Sequence, residues 1–532
     1  MRNLELPGRS PVLSTNGMAA TSHPLATQAA LGVLKDGGNA LDAAVAACAV
    51  QCVVEPESTG IGGDCFCLYS KGGSTDIIAY NGSGRAPGAA TAQWYADNGI
   101  SELEQHSPHA VTVPGAIDAW DSLVRDHGTK ALGELLKPAV NFARNGYPVS
   151  SRVSVDFASQ VALLKKDACA ARVFLHEDGT PWSFGQVHKQ PALADTLQHI
   201  GEMGRDGFYT GPVAEDIVSH LRSKGGLHTL EDFAGMKGEY VTPISTEFRG
   251  HTVYQCPPNG QGMIALLLLN IMSGFEAGDK GPITLERVHR EIEAGRLAYC
   301  DRNLYLADPG QADVPVDWFL SGEHADEIRA VIDDAKALDP LPAFTGPRHK
   351  STVYISVVDK DRNACSFINT LFHNFGSGIM APRSGVMLHN RGQGFVLDPA
   401  HPNCIAPGKR PLHTIIPGMV ARGDRVVMPY GVMGGEYQAF GHMQFLTRVF
   451  DYGMDVQEAQ DAPRFFPEPF SGEVEVEGTI PADIMEGLKA KGHKLVRPAK
   501  PIGGSQAIRI DWDEGTLTGG SDPRKDGCAI GY

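Results

Sequence analysis

The 532-residue chain lacks any apolar stretch that would cross a bilayer. The run MIALLLL (Met263–Leu269) falls far short of the ~20 residues a spanning helix needs, and the alanine-rich segment ALDAAVAACAVQCVV is interrupted by Asp42 and Gln51. Basic residues are not in excess: 46 Lys and Arg stand against 62 Asp and Glu, a net charge of -16. Binding to nucleic acid or an anionic membrane draws on clustered cations, so both are excluded as partners and the acidity reads as solubility. The N-terminal segment has no charged start, apolar stretch and small-residue cleavage site in series, which points to the cytoplasm. Ten cysteines are scattered, and the close pairs Cys48/Cys52 and Cys65/Cys67 lack a matching second pair at zinc spacing, so reduced, buried thiols are expected. The 19 histidines include no H-E-x-x-H, and neither a G-x-S-x-G elbow nor a phosphate loop occurs; no metal site is expected.

What is present is a soluble composition, 42% apolar with 62 Gly and 35 Pro. Without repeats, low-complexity tracts or a marked linker, the chain reads as one continuous fold. A first helix fits SHPLATQAALGVLKDGGN, with Ser22 as cap, Pro24 in the first turn and Gly37-Gly38 at the end; a second runs from Leu41 to about Val54. Glycine-rich turns accompany strands in ESTGIGGDCFCLYS and DIIAYNGSGRAPGAAT, and helices dominate from about 130 to 235. After residue 350 the period switches to two: TVYISVVD, ACSFINTLF and SGVMLHN read as strands, and DRVVMPYGVMGG as a buried strand entering a glycine turn. Stacked helices and sheets follow as the economical architecture.

In PRHKSTVYISVVDKDRNACSFINTLFHNFGSG the turn KDRN folds the strand after Thr352 back on ACSFINTLF. Pairing of residues 359 and 364 sets Thr352 opposite Leu371; a loop one residue shorter sets it opposite Thr370. Threonine is a poor nucleophile without a base, and a threonine that becomes an N-terminus carries one in its own α-amine. A strand beginning at Thr352 therefore makes chemical sense if the chain is cut just before it. Taken alone, a Ser-Thr pair is an ordinary polar strand start.

Its company changes that reading. GGNALDAAVAA (37–47), TGIGGD (59–64), HAVTVPGAIDAW (109–120), KRPLHTIIP (409–417), GVMGG (431–435) and the terminal GGSDPRKDGCAIGY together resemble the γ-glutamyltransferase family of self-cleaving N-terminal nucleophile hydrolases, from about residue 14 to Tyr532. The resemblance implies an α+β, four-layer αββα sandwich. It implies cleavage between Ser351 and Thr352, giving a large subunit 1–351 and a small subunit 352–532 that stay together as a heterodimer, with a dimer of these as a further assembly. Thr352 becomes the nucleophile and its amine the general base; Thr370 matches the threonine bonded to the nucleophile; Gly434 and Gly435 match the glycine pair whose N–H groups hold the oxyanion. No cofactor is implied, since nucleophile, base and donors all come from the chain.

The substrate positions depart from the transferase pattern. Ser83 stands at the arginine site, with Arg85 two residues on; Arg391 replaces a glutamine and Gly394 a carboxylate; Phe372 replaces an asparagine; His413 and Thr414 replace a serine pair. A cation where an amine binds costs affinity by like-charge repulsion. The wording resembles the branch containing oxamate amidohydrolase and cephalosporin-acylase-like members, where Arg391, and with it Arg85, would pair with a small carboxylate; for each arginine a structural ion pair stands equally beside that reading. His413 would donate to substrate or serve as a structural histidine. The leading expectation is an amidohydrolase acting on a small carboxylate-bearing, oxamate-like amide. Glutathione hydrolase or γ-glutamyl transfer is the alternative within the same chemistry, and a non-catalytic binding protein the alternative from another class.

Overall fold

The computed structural model describes residues 8–341, 344, 346 and 351–532. The basic Arg348-His349-Lys350 before the Ser-Thr pair therefore lies outside the described residues. Two seven-stranded antiparallel sheets are stacked between helical layers, the αββα sandwich expected. One sheet runs Val12–Ser14, Thr516–Ser521, Gly504–Asp511, Arg425–Met433, Gly418–Arg422, His251–Gln255, Ile244–Phe248; the other Cys528–Gly531, Met18–Thr21, Val353–Val358, Ala364–Thr370, Asp64–Ser70, Ile78–Gly82, Glu239–Val241. Strands from both sides of residue 352 interleave in each sheet.

Three cores separate the four layers. Met18, Phe66, Tyr354, Ile368, Met419, Met433 and Ile508 fill the space between the sheets. One outer core joins the second sheet to helices that include Ala40–Val54, whose fifteen residues are all buried. That helix is alanine-rich because both of its sides pack, and a capping box of Asn39 and Asp42 starts it. The other core joins the first sheet to Gly262–Ser273, Leu285–Tyr305 and Tyr437–Phe450.

Two expectations differ. The first helix, Pro24–Lys35, is capped by His23, whose Nδ1 accepts from Leu25 N at 3.2 Å, while Ser22 donates to Glu55 at 2.7 Å. A buried carboxylate took the hydroxyl that local spacing assigned to the cap. SGVMLHN forms no strand; it is a loop held by isolated bridges, Met380 to Met387 and Gly62 to Leu388. Its apolar side chains are buried by the packing of the connection, which alternation alone does not distinguish from a sheet.

Candidate active site

The Val353–Val358 and Ala364–Thr370 strands pair with Val353 opposite Asn369 and Val358 opposite Ala364. Extended by one residue, this register sets Thr352 against Thr370, the shorter of the two loops considered. The loop closes through Asp359 N to Asn363 O at 3.1 Å, with Arg362 in the left-handed region at φ 61°. Asp359 holds the turn: Oδ1 accepts from the backbones of Asp361 (2.9 Å) and Asn363 (3.0 Å), and Oδ2 from Ala40 N at 2.9 Å. The hairpin that positions the two threonines is thus tied to the buried Ala40–Val54 helix.

Thr352 and Thr370 are both buried, with Oγ1 atoms 3.3 Å apart. Thr352 Oγ1 also donates to the carbonyl oxygen of Ser351. Thr370 Oγ1 lies 3.4 Å from that oxygen and accepts from Phe372 N at 2.9 Å. The Phe372 donor occupies a lone pair, leaving the Thr370 hydrogen free to point at Ser351 O or Thr352 Oγ1. Ser351 Oγ donates to Glu57 O at 3.3 Å, which pins the residue before Thr352 from the other side.

Gly434 and Gly435 lie between the end of the Arg425–Met433 strand and the Tyr437–Phe450 helix, at φ 121° and 61°. Glycine accepts these values without penalty, and at Gly434 a Cβ would also stand 2.8 Å from Gly503 Cα. Among the described residues neither N–H has a partner, whereas both carbonyls are used, Gly434 O by Tyr437 N and Gly435 O by Gln438 N. Gln261 Nε2 adds a bond to Gly435 O at 3.1 Å and one to Thr414 O at 2.9 Å. A strand, glycine pair and helix N-terminus in this order present unused donors where charge can develop.

Arg391 is fully buried, its guanidinium 3.8 Å from the centre of the Phe372 ring. Nη1 donates to Thr414 Oγ1 at 3.3 Å, and Nε and Nη2 have no partner among the described residues. Burial pushes it down to about 9, so it stays cationic at neutral pH. Phe372 sits at φ 76°, a strained conformation for an aromatic residue, and thereby joins Thr370 through its N–H and Arg391 through its ring. An unpaired buried guanidinium is costly unless something anionic arrives.

Beneath this lies a buried carboxylate that the sequence reading did not single out. Asp64 is opposite Thr370 in the sheet, so Thr352, Thr370 and Asp64 form one row across three strands. Its Oδ1 accepts from Gly84 N (3.0 Å) and Gly115 N (3.1 Å), and Oδ2 from His413 Nε2 at 3.0 Å. Burial alone would raise Asp64, but His389 and His413 outweigh it and hold the carboxyl well below its usual range. Burial, reinforced by the Arg391 charge, pushes His413 down to about 3. Neutral His413 donates to Asp64 and accepts from Ile415 N at 3.3 Å, so it follows the structural alternative set out for it.

Two further positions have other partners. Arg85 donates to Gly408 O at 3.0 Å and approaches Asp308 at 4.0 Å, with its side chain 34% exposed. These contacts are those of the structural ion-pair alternative for Arg85, not of a cation left open beside Arg391. Ser83 is buried, its hydroxyl accepting from Asn259 Nδ2 at 3.0 Å and its carbonyl oxygen from Arg410 Nε at 3.4 Å. At Gly394 a Cβ would stand 2.8 Å from Leu412 O, so the backbone leaves no room for a carboxylate side chain there. Gly394, Phe372, Phe395, Leu412, Glu436 and Phe470 line a cavity of about 780 Å³, with Phe344 and Gly346 of the segment leading to Ser351 on its wall. Nothing in the immediate sequence neighbours of Gln261 and Gln438 signals a role, and Asp64 carries only its place as the last residue of TGIGGD.

The Gamma-glutamyltranspeptidase family model matches residues 26–532. The chain is 38% identical over 528 residues to the "Glutathione hydrolase-like YwrD proenzyme" of Bacillus subtilis, covering 98% of this chain and 99% of that protein. It is 34% identical over 533 residues to the "Oxamate amidohydrolase proenzyme" of Klebsiella pneumoniae, again covering 98% and 99%. Its fold superposes on the crystal structure of cephalosporin acylase from Bacillus halodurans with a TM-score of 0.92 at 39% identity, over 100% of this chain and 99% of that one.

Proposed function

Because this chain belongs to the gamma-glutamyltranspeptidase family, we propose that it is an amidohydrolase matured by its own cleavage at Ser351-Thr352, with Thr352 as nucleophile and a carboxylate-bearing amide as substrate. The observation that carries the reading is the buried guanidinium of Arg391, with Nε and Nη2 unpaired, joined through the single residue Phe372 to a hydroxyl pair 3.3 Å apart.

In maturation Thr352 Oγ1 bonds to the carbonyl carbon of Ser351. The oxyanion forms on Ser351 O, where Thr370 is the nearby donor at 3.4 Å. The C–N bond breaks, the nitrogen of Thr352 takes up the hydroxyl proton, and water hydrolyses the resulting ester. The two fragments are residues 1–351 and 352–532. The freed α-amine then receives the Thr352 hydroxyl proton as Oγ1 attacks an amide substrate. The N–H groups of Gly434 and Gly435 take the oxyanion, the amine leaves protonated, and water releases the acid.

Arg391 fits a substrate carboxylate through two charge-assisted bonds. An oxamate-like amide meets this with its acid group next to the scissile carbonyl. γ-Glutamyl substrates fit less well: Arg391 stands where an α-ammonium would bind, and Gly394 has no space for the carboxylate that would receive it. A bulkier acyl amide is the second reading, favoured by the cavity of about 780 Å³ with its phenylalanine walls.

The test has two steps. N-terminal sequencing of the purified protein should find a new terminus at Thr352, and Thr352→Ala should remain one inactive chain; an active protein without that terminus ends the proposal. Ammonia release from oxamate is then compared with amine release from glutaryl and γ-glutamyl anilides. Fastest turnover of the γ-glutamyl compound would show that Arg391 and Gly394 do not govern selection.

A further inference from the structure

The nucleophile has a contact that neither the motif nor the glycine pair accounts for. Gln438 is fully buried in the first turn of the Tyr437–Phe450 helix, three residues after Gly435. Its Oε1 accepts from Ile416 N at 3.1 Å. A backbone N–H can only donate, so this bond fixes the amide orientation and leaves Nε2 facing Thr352 Oγ1, at 3.4 Å.

We propose that Gln438 is a catalytic residue whose side-chain N–H donates to Thr352 Oγ1 throughout the reaction. The inference rests on Thr352 as nucleophile. A carboxamide nitrogen cannot accept, so the hydroxyl hydrogen of Thr352 must turn elsewhere: to Ser351 O before cleavage, and to the α-amine after it. The same donor acts on each species that Oγ1 becomes. When Oγ1 attacks, its proton passes to the amine and the N–H steadies the developing charge. When water adds to the acyl-enzyme, giving a proton to the α-amine, and the C–Oγ1 bond then breaks, the electron pair returns to Oγ1, which the N–H again stabilises until the α-ammonium passes that proton to it. The 3.4 Å separation belongs to the uncut chain; such bonds tighten as charge develops.

Two variants separate this role from packing. Gln438→Met keeps the length and loses the donor; kcat should fall about tenfold or more with KM within twofold, as for loss of a donor to a reacting oxygen. Gln438→Glu keeps the acceptor for Ile416 N but turns an ionised oxygen toward Thr352. Its kcat should fall further, and its activity relative to wild type should climb as pH is lowered and the carboxyl regains a hydrogen to donate. A purely structural role gives a ratio that does not change with pH. Where a variant matures poorly, the self-cleavage rate of its folded uncut chain is followed on denaturing gels across the same pH range and should show the same trend. Wild-type kcat in Gln438→Met, or a pH-independent ratio in Gln438→Glu for turnover and cleavage alike, overturns the proposal. Sequencing for the Thr352 terminus is done first on wild type, so failure of the nucleophile assignment is seen separately.

Discussion

At the residue scale, Thr352, Thr370 and Arg391 carry different loads. Thr370→Val keeps the volume and removes the donor to Ser351 O and the partner of Thr352 Oγ1. Self-cleavage should slow by about 10- to 100-fold, the scale of a lost hydrogen bond to a reacting group, in a chain that melts within a few degrees of wild type; an unchanged cleavage rate would remove Thr370 from the mechanism. Arg391→Met should act in opposite directions on binding and stability. KM for a carboxylate-bearing amide should rise at least about 10-fold through loss of charge-assisted bonds, while the melting temperature should rise, because an unpaired buried cation is replaced by an apolar chain of similar reach. Calorimetry and steady-state kinetics on one preparation check both. The general base gives a third expectation: kcat/KM should decline below the ordinary pKa of an α-amine, about 8, as the Thr352 amine becomes an ammonium and loses its capacity to accept a proton.

At the scale of elements, the hairpin and the strand–glycine–helix corner do the positioning. The strands were legible from their alternation, and TVYISVVD, ACSFINTLF and DRVVMPYGVMGG all appear in the sheets. The register was not, since it depended on whether the Asp359–Asn363 turn closed with three residues or four between its ends; Arg362 adopting a left-handed φ decides for three. The corner at Gly434 makes a sharper prediction. Gly434→Ala must abandon φ 121° or push against Gly503 Cα at 2.8 Å; either displaces the N–H groups and the start of the helix that holds Gln438. Turnover should fall by at least about 100-fold, the scale of a lost oxyanion donor, while circular dichroism retains both helix and sheet. SGVMLHN shows the limit of pattern reading: its apolar residues are buried by a folded connection, a tertiary fact with no period of its own.

At the scale of the whole molecule, cleavage at residue 352 should not release two bodies. Val353–Val358 lies between Met18–Thr21 and Ala364–Thr370, so fragments divided there share both sheets and all three main cores. The fragments should co-elute as one particle in native buffer and separate only under denaturant. Acid should weaken the assembly. Burial pushes His413 and His442 down to about 3 and His23, His188 and His228 down to about 4, from 6.5. Between pH 6.5 and those values the unfolded chain binds protons that the folded one does not, so stability is greatest above 6.5 and falls as pH drops toward 4. Below the ordinary carboxylate range the lowered carboxyl of Asp64 adds to the loss. Denaturant midpoints from pH 7.5 to 4.5 should decrease; a flat series would mean these histidines take up protons while folded. By itself the sequence determined the family, the layered class and the residues with chemical capacity, because motif wording and strand period are local properties. Only the tertiary structure decided that Arg391 is the unpaired cation while Arg85 is paired, that His413 serves Asp64, and that Gln438 reaches Thr352. Those outcomes depend on which distant groups share a buried volume, and electrostatic and hydrogen-bond partners there are chosen across the fold, not along the chain.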